Sequence, residues 1–400
     1  MFSALLPGLV LALSYGALAL GTVPGLRMNR ATIALVSAAL LIALGTVDLR
    51  TAWQTIDPQT IIFLLSMMIV NAYLGYSGFF QLAVVVVVRF AASPLGLLLF
   101  LTGATGTLSA LFLNDTLALV TTPLTLQMTH ALGLNPVPYL LAIAAATNIG
   151  SVATLSGNPQ NILVGSFSGL GYLEFAQTML PVAVLGLVVQ VAWLWWLYPQ
   201  VRSSRPCTLA TLKPVRLHLP LLRKTLVVTS AMLLAFSLGF PLAETALLAA
   251  AALLVTRRLK PERILAQVDW SLLVLFSGLF ILSYCVQRLD ILASLQPWIT
   301  RPLGLVAITT VLSNLISNVP TVLLLANFIP KDAPQLWYLL AATSTLAGNL
   351  TLFGAVANLI TIEAAASTGQ SLSFWRHVQF GAPLTLITVA IAYVWIDYHL

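Results

Sequence analysis

Charge is what this chain has least of. Asp, Glu, Lys and Arg together make up 7% of its 400 residues, against about 25% in soluble domains. A water-facing surface cannot be assembled from that stock. Cysteine is nearly absent: Cys207 and Cys285 stand far apart, with no CxxC or Cys/His spacing. That excludes a disulfide framework and a thiolate metal site. No P-loop occurs, so ATP does not drive the protein through this chain. No Ser/His, paired-Asp or HExxH constellation marks an intramembrane enzyme, and none is expected. The net charge of +7 could point to nucleic acid. The basic residues sit in short segments between apolar runs, however, so no nucleic-acid partner is expected.

What is present is apolar sequence, 59% of the chain, in recurring stretches of helix-spanning length, about 17–25 residues. The strict alternation of a porin-type barrel is missing. The chain therefore reads as an all-α polytopic membrane protein whose first partner is the lipid bilayer. The segment Leu5 to Val23 has no basic residue before it and reads as a first span, not a cleaved signal peptide. Ten crossings are expected, at 5–23, 31–47, 60–77, 136–166, 176–198, 225–240, 242–257, 269–287, 335–366 and 377–397. Two of these, 136–166 and 335–366, are too long for one straight span at about 1.5 Å per residue. Both carry Gly, Asn and Thr near the middle and are expected to be broken helices.

Two further apolar stretches, 94–130 and 300–330, are interrupted by Asn114-Asp115-Thr116 and by Ser317-Asn318-Val319-Pro320-Thr321. Each is expected to be a re-entrant hairpin with its polar cluster at the tip, because non-helical backbone at membrane depth survives only inside protein or beside water. With loops 24–30, 78–94, 199–224, 258–268 and 367–376 inside, 14 of the 18 basic residues, Arg30 among them, face the cytoplasm. The positive-inside rule then places both termini outside.

The two halves repeat. Thr154-Leu155-Ser156-Gly157 through Asn161-Ile162 matches Thr351-Leu352-Phe353-Gly354 through Asn358-Leu359, at an offset of 197. Leu108-Ser109 and Asn114 match Leu312-Ser313 and Asn318. The organisation expected is a first repeat over 1–198, a basic cytoplasmic linker over 199–224 and a second repeat over 225–400. Five crossings per unit make the repeats inverted, as in secondary transporters. If the four interruptions converge, they form one site near the bilayer midplane. Free N–H ends of broken helices attract anions, and carbonyls with Asn and Thr oxygens suit a hard cation such as sodium. Asp115 stands out, since an intramembrane carboxylate must be paired, hydrated or protonated. It reads as a proton carrier, a cation ligand or a helix cap.

At these motifs the chain resembles a known group. The string Ala146-Thr147-Asn148-Ile149-Gly150-Ser151-Val152-Ala153-Thr154, running on to Gly157-Asn158-Pro159-Gln160-Asn161, is similar to the signature of arsenite-efflux and citrate-type permeases. These belong to the ion transporter superfamily, which also holds divalent-anion:sodium symporters. The resemblance, to a bacterial inner-membrane branch, implies a homodimer, elevator-like movement, and coupling to sodium or protons without any other cofactor. It implies a substrate and ion site at Asn114, Asp115, Thr116, Asn148, Thr154, Gly157, Asn158, Asn161, Ser317, Asn318, Thr321, Thr351, Gly354 and Asn358. Sodium would be held at Asn114, Asp115, Asn161, Asn318 and Asn358. Dicarboxylate symporters of this superfamily carry Ser-Asn-Thr at both tips. The acidic first tip here leans instead toward proton coupling or a different solute, and the leading reading is a secondary active transporter of a small anion or oxyanion-like solute. An arsenite or antimonite extruder is the alternative, and an ion channel the alternative from another class.

Overall fold

The computed structural model describes residues 2–23, 25–90, 93–203, 217–366, 369 and 373–400. All regular structure among them is helical. The first half runs α1 Phe2–Leu20, α2 Arg30–Ala43, α3 Leu49–Thr55, α4 Pro58–Ser77, α5 Phe79–Phe90, α6 Pro94–Leu111, α7 Asn114–Ala131, α8 Val137–Ser151, α9 Pro159–Ser168 and α10 Tyr172–Leu197. The second runs α11 Leu219–Ser237, α12 Leu242–Leu254, α13 Pro261–Leu265, α14 Trp270–Arg288, α15 Gln296–Ile299, α16 Pro302–Ile316, α17 Asn318–Ala326, α18 Pro334–Leu346, α19 Val356–Ala366 and α20 Phe374–His399. Each set opens and closes on helices of 19 and 26 residues. Most of the expected linker, residues 204–216 with Cys207, lies outside the described residues.

Local chemistry sets the helix ends. Asp57 accepts from the backbone N–H of Gln59 and Thr60 ahead of Pro58 at the first turn of α4, and Gly78 closes that helix at φ +85°. Asn29 and Thr32 form a reciprocal capping box on α2, which satisfies two otherwise orphaned donors. The interruptions fall where the polar clusters predicted them. The first hairpin turns at Phe112 and Leu113, between α6 and α7, and the second at Ser317, between α16 and α17. The long intervals are indeed broken: α8 and α9 are parted by 152–158, and α18 and α19 by short 3₁₀ turns at Ala347–Asn349 and Leu352–Gly354.

Three features differ from the sequence expectation. Residues 79–90, expected as loop, form α5. The intervals 31–47 and 242–257 hold helices of 14 and 13 residues, about 20 Å long, short of a bilayer's hydrocarbon thickness. Among the described residues six helices are long and apolar enough to cross: α4, α6, α10, α11, α14 and α20. The first hairpin's arms, 18 residues each, are longer than the second's 15 and 9.

Two packing groups emerge. In one, α2 lies on α14 and α4 on α12, the same pairing with the halves exchanged. In the other, each half's hairpin packs on the other half's broken helix: α7 on α19, and α17 on α9. Small residues permit the closest approaches. Leu180, Val184, Val188 and Trp196 of α10 and Val394 of α20 remain exposed, the surface a lipid-facing helix presents.

Candidate functional site

The site starts from two clasps. Asn161 donates from Nδ2 to the carbonyls of Ser151 (3.0 Å) and Thr154 (2.9 Å). Asn358 does the same to Gly348 (2.8 Å) and Thr351 (3.0 Å). Each amide bridges both ends of its own helix break and supplies donors to carbonyls the interruption has orphaned. The sequence match at an offset of 197 is therefore a match of hydrogen bonds.

The hairpin tips dock on the breaks. The backbone N–H of Asn114 donates to the Gly157 carbonyl at 3.1 Å. The Asn318 amide, oriented to donate, lies 2.9 Å from the carbonyls of Gly354 and Ser344. A Cβ at Gly157 would sit 2.5 Å from the Ser151 carbonyl oxygen, so the tight break requires glycine. Ser317 holds φ at +79°, a left-handed backbone that costs a non-glycine residue about 1–3 kcal/mol. The strain falls at the second tip.

Asn148 joins the halves. Its Nδ2 donates to Oδ1 of Asn349 at 2.8 Å and of Asn358 at 3.3 Å, while Asn114 Nδ2 reaches its Oδ1 at 3.4 Å. Asn158 caps α9, with its Oδ1 accepting from the Asn161 N–H at 2.8 Å. Its Nδ2 donates to Ser151 Oγ at 2.9 Å and Thr345 Oγ1 at 3.3 Å. Thr154 donates to the Ala110 carbonyl, Thr321 to the Ser317 carbonyl at 2.9 Å, and Thr351 to Asn314 Oδ1 at 2.9 Å. These three hydroxyls are spent on holding the scaffold of the site.

Two cavities flank the tips. The smaller, about 60 Å³, meets both: Asn114, Asp115, Ser317 and Asn318 line it with Gln160 and Arg30. The larger, about 510 Å³, carries oxygen-bearing side chains: Asn71, Gln81, Asp115, Thr116, Gln267 and Asp269. Asp115 faces both cavities. Helix α7 has no side-chain cap, so the capping role open to Asp115 is not the one it takes. Of the five residues expected around sodium, Asn114, Asp115 and Asn318 come together at the smaller cavity. Asn161 and Asn358 line neither cavity and turn their NH₂ groups to the breaks.

Four residues escaped the sequence reading. Arg30, counted with the loop cations, reaches the tips. Asn71 is buried in α4 and donates to Thr116 Oγ1 at 3.4 Å; a lone Asn within an apolar span is a signal that could have found it. Asp269 caps α14 and lines the larger cavity. His377, near the start of α20, is only 2% exposed, with Nε2 3.1 Å from the Asn349 carbonyl.

Apolar helices crossing a bilayer, broken around a buried polar centre, define a membrane transporter. A citrate transporter family model matches residues 15–347, and the chain belongs to that family. It is similar to a 46 kDa membrane protein of Mycobacterium leprae, 30% identical over 93% of this chain and 95% of that protein. It is likewise similar to a silicon efflux transporter of Oryza sativa subsp. japonica, 30% identical over 92% and 93% of the two chains. The fold is that of the Alcanivorax borkumensis YdaH transporter, with a TM-score of 0.63 over 100% of this chain and 99% of that one, at 14% identity.

The clasps make a stability prediction. Asn358→Ala strands the buried Gly348 carbonyl and the part-buried Thr351 carbonyl and leaves Asn148 short of a partner, and each buried orphan costs about 1–3 kcal/mol. Asn161→Ala strands two carbonyls alone. Thermal unfolding in detergent is expected to show both variants below wild type, with Asn358→Ala the lower. Equal melting temperatures for all three proteins would remove the clasp role.

Proposed function

We propose that the protein is a secondary active transporter of a small anion or oxyanion-like solute, driven by sodium or protons and working by elevator-type alternating access. The observation that carries this reading is the meeting of both hairpin tips at one small cavity, with the Asn148 hydrogen bonds tying the halves together beside it. The two packing groups suit the division of labour. The α2–α14 and α4–α12 pairs serve as scaffold, and the hairpins with the broken helices form the moving body. The recurring helix order fits two inverted repeats, which place the same site toward either face in turn. The oxygen-lined larger cavity suits the coupling cation, with Asp115 shared between cation and solute. We place the protein in a bacterial inner membrane as a homodimer with both termini outside.

A second reading, efflux of a neutral metalloid hydroxide, is favoured by the similarity to a silicon efflux transporter. The two separate in proteoliposomes offered phosphate, citrate, arsenite or silicic acid under an imposed sodium or proton gradient. The expected result is accumulation of one charged solute that collapses with the gradient. Accumulation of an uncharged hydroxide supports efflux of metalloids instead. Fast downhill flux indifferent to the imposed sodium or proton gradient removes the transporter mechanism in favour of a channel.

A further inference from the structure

Arg30 opens α2, and its side chain lines the small cavity with both hairpin tips. It is half-buried, and among the described residues it makes no hydrogen bond or ion pair. Asp115 lines the same cavity without pairing to it. A partly buried cation with no partner is unfavourable, so its place at the tips calls for a counter-charge that arrives with the solute. Two further donor sets face the same space. Neither α7 nor α17 has a side-chain cap at its N-terminus, and uncapped N–H ends attract negative charge.

Acceptors are there too. Asn114 is 4% exposed, and its Oδ1 has no hydrogen-bond partner. With the Asp115 carboxylate, it needs a donor from whatever enters. The cavity of about 60 Å³ has room for several water molecules, at about 10–15 Å³ for each. A group that satisfies both sets carries an ionised oxygen for the guanidinium and a hydroxyl for Asn114 and Asp115. A neutral hydroxide leaves Arg30 without counter-charge. A tricarboxylate would turn its ionised oxygens to Asp115.

We infer that Arg30 is the charge-selecting residue of this cavity and that the group seated there is a small, partly protonated oxyanion. The inference rests on the transport reading for its biological sense, but its test is a binding measurement. Wild type, R30Q and R30K are purified in detergent, and their thermal unfolding is followed with inorganic phosphate, citrate or boric acid at neutral pH. Phosphate is expected to raise the wild-type melting temperature, and citrate and boric acid to leave it unchanged. R30Q should need about tenfold more phosphate or beyond for the same shift, the worth of a charge-assisted bond. R30K, which keeps the charge and loses the two-pronged geometry, should fall between.

A wild type indifferent to phosphate overturns the inference. So does an R30Q with wild-type phosphate dependence, or a boric acid response shared by wild type and R30Q. If R30Q is not recovered folded, R30K decides: a weakened phosphate response supports the assignment and an unchanged one removes it. Gradient-driven uptake that survives while Arg30 proves indifferent sinks this inference alone. Phosphate binding that depends on Arg30, without uptake under any gradient, sinks the transport reading alone.

Discussion

Asp115→Asn is expected to abolish gradient-driven uptake while leaving a folded protein of wild-type stability. The side chain sits in the first turn of α7 and lines both cavities. It makes no capping bond that would justify its place structurally. Asn has the same shape, keeps one acceptor oxygen and removes the charge. A proton carrier needs an ionisable oxygen, which an amide lacks, and a coupling cation would keep an oxygen ligand but lose the negative charge that balances it. Losing a hydrogen bond or contact to a charged group is worth about 10- to 100-fold, and coupling should fall by at least that much. The measurement is proteoliposome uptake with and without the gradient, beside size-exclusion and thermal unfolding profiles of the same preparations. Uptake at the wild-type rate would take Asp115 out of the mechanism. A variant that unfolds would return it to a structural role.

Gly150→Ala should have the largest effect on folding. A Cβ at Gly150 would lie 2.2 Å from the carbonyl oxygen of Gly106 and 2.6 Å from its Cα. Both obstacles are backbone, so no side-chain rotation relieves them, and α6 and α8 would have to part. Overpacking of this kind costs about 1–3 kcal/mol and sometimes more. Parting these helices would also move α8, which carries Asn148 and leads into the first break. Small residues at helix contacts within membranes serve this close approach. Gly103 in α6 is the control, since a Cβ there meets nothing within 4 Å. Gly103→Ala is expected to match or exceed wild type, alanine being the better helix former by about 1 kcal/mol. Detergent-extracted yield and melting temperature of the two variants provide the check. Indistinguishable values would show that the α6–α8 contact yields easily.

Much of this was legible in the linear chain because membrane helices are locally determined. A bilayer offers the backbone no hydrogen-bond partners, so an apolar stretch must satisfy its own and coils into helix. Where Asn, Gly and Thr cluster in such a stretch the helix breaks, as at the tips by Asn114 and Ser317 and around Gly157 and Gly354, whereas the lone Pro181 and Asn71 stay inside helices. The Asn161 and Asn358 correspondence could be read from the repeat, but not its use. As short amides in matching strings they looked like ligands, while the structure shows their NH₂ groups closing the breaks. Helix α5 was missed because its 12 residues are too few to span a bilayer and carry basic Arg89 next to last, so the segment reads as loop.

The sequence by itself determined the class of protein: charge too sparse for a water-facing surface, apolar runs of spanning length and two matching polar interruptions per half. Only the tertiary structure decided what shares a cavity. Arg30 counts as a loop cation until α2 carries it to the hairpin tips, and Asn71 and Asp269 are a lone amide and a helix cap until α4 and α14 set them around Asp115. Asn148 meets Asn349 and Asn358 across some 200 residues of chain. Helix formation rests on contacts between near neighbours, which a pattern records. The site rests on packing between distant segments, which no local pattern encodes.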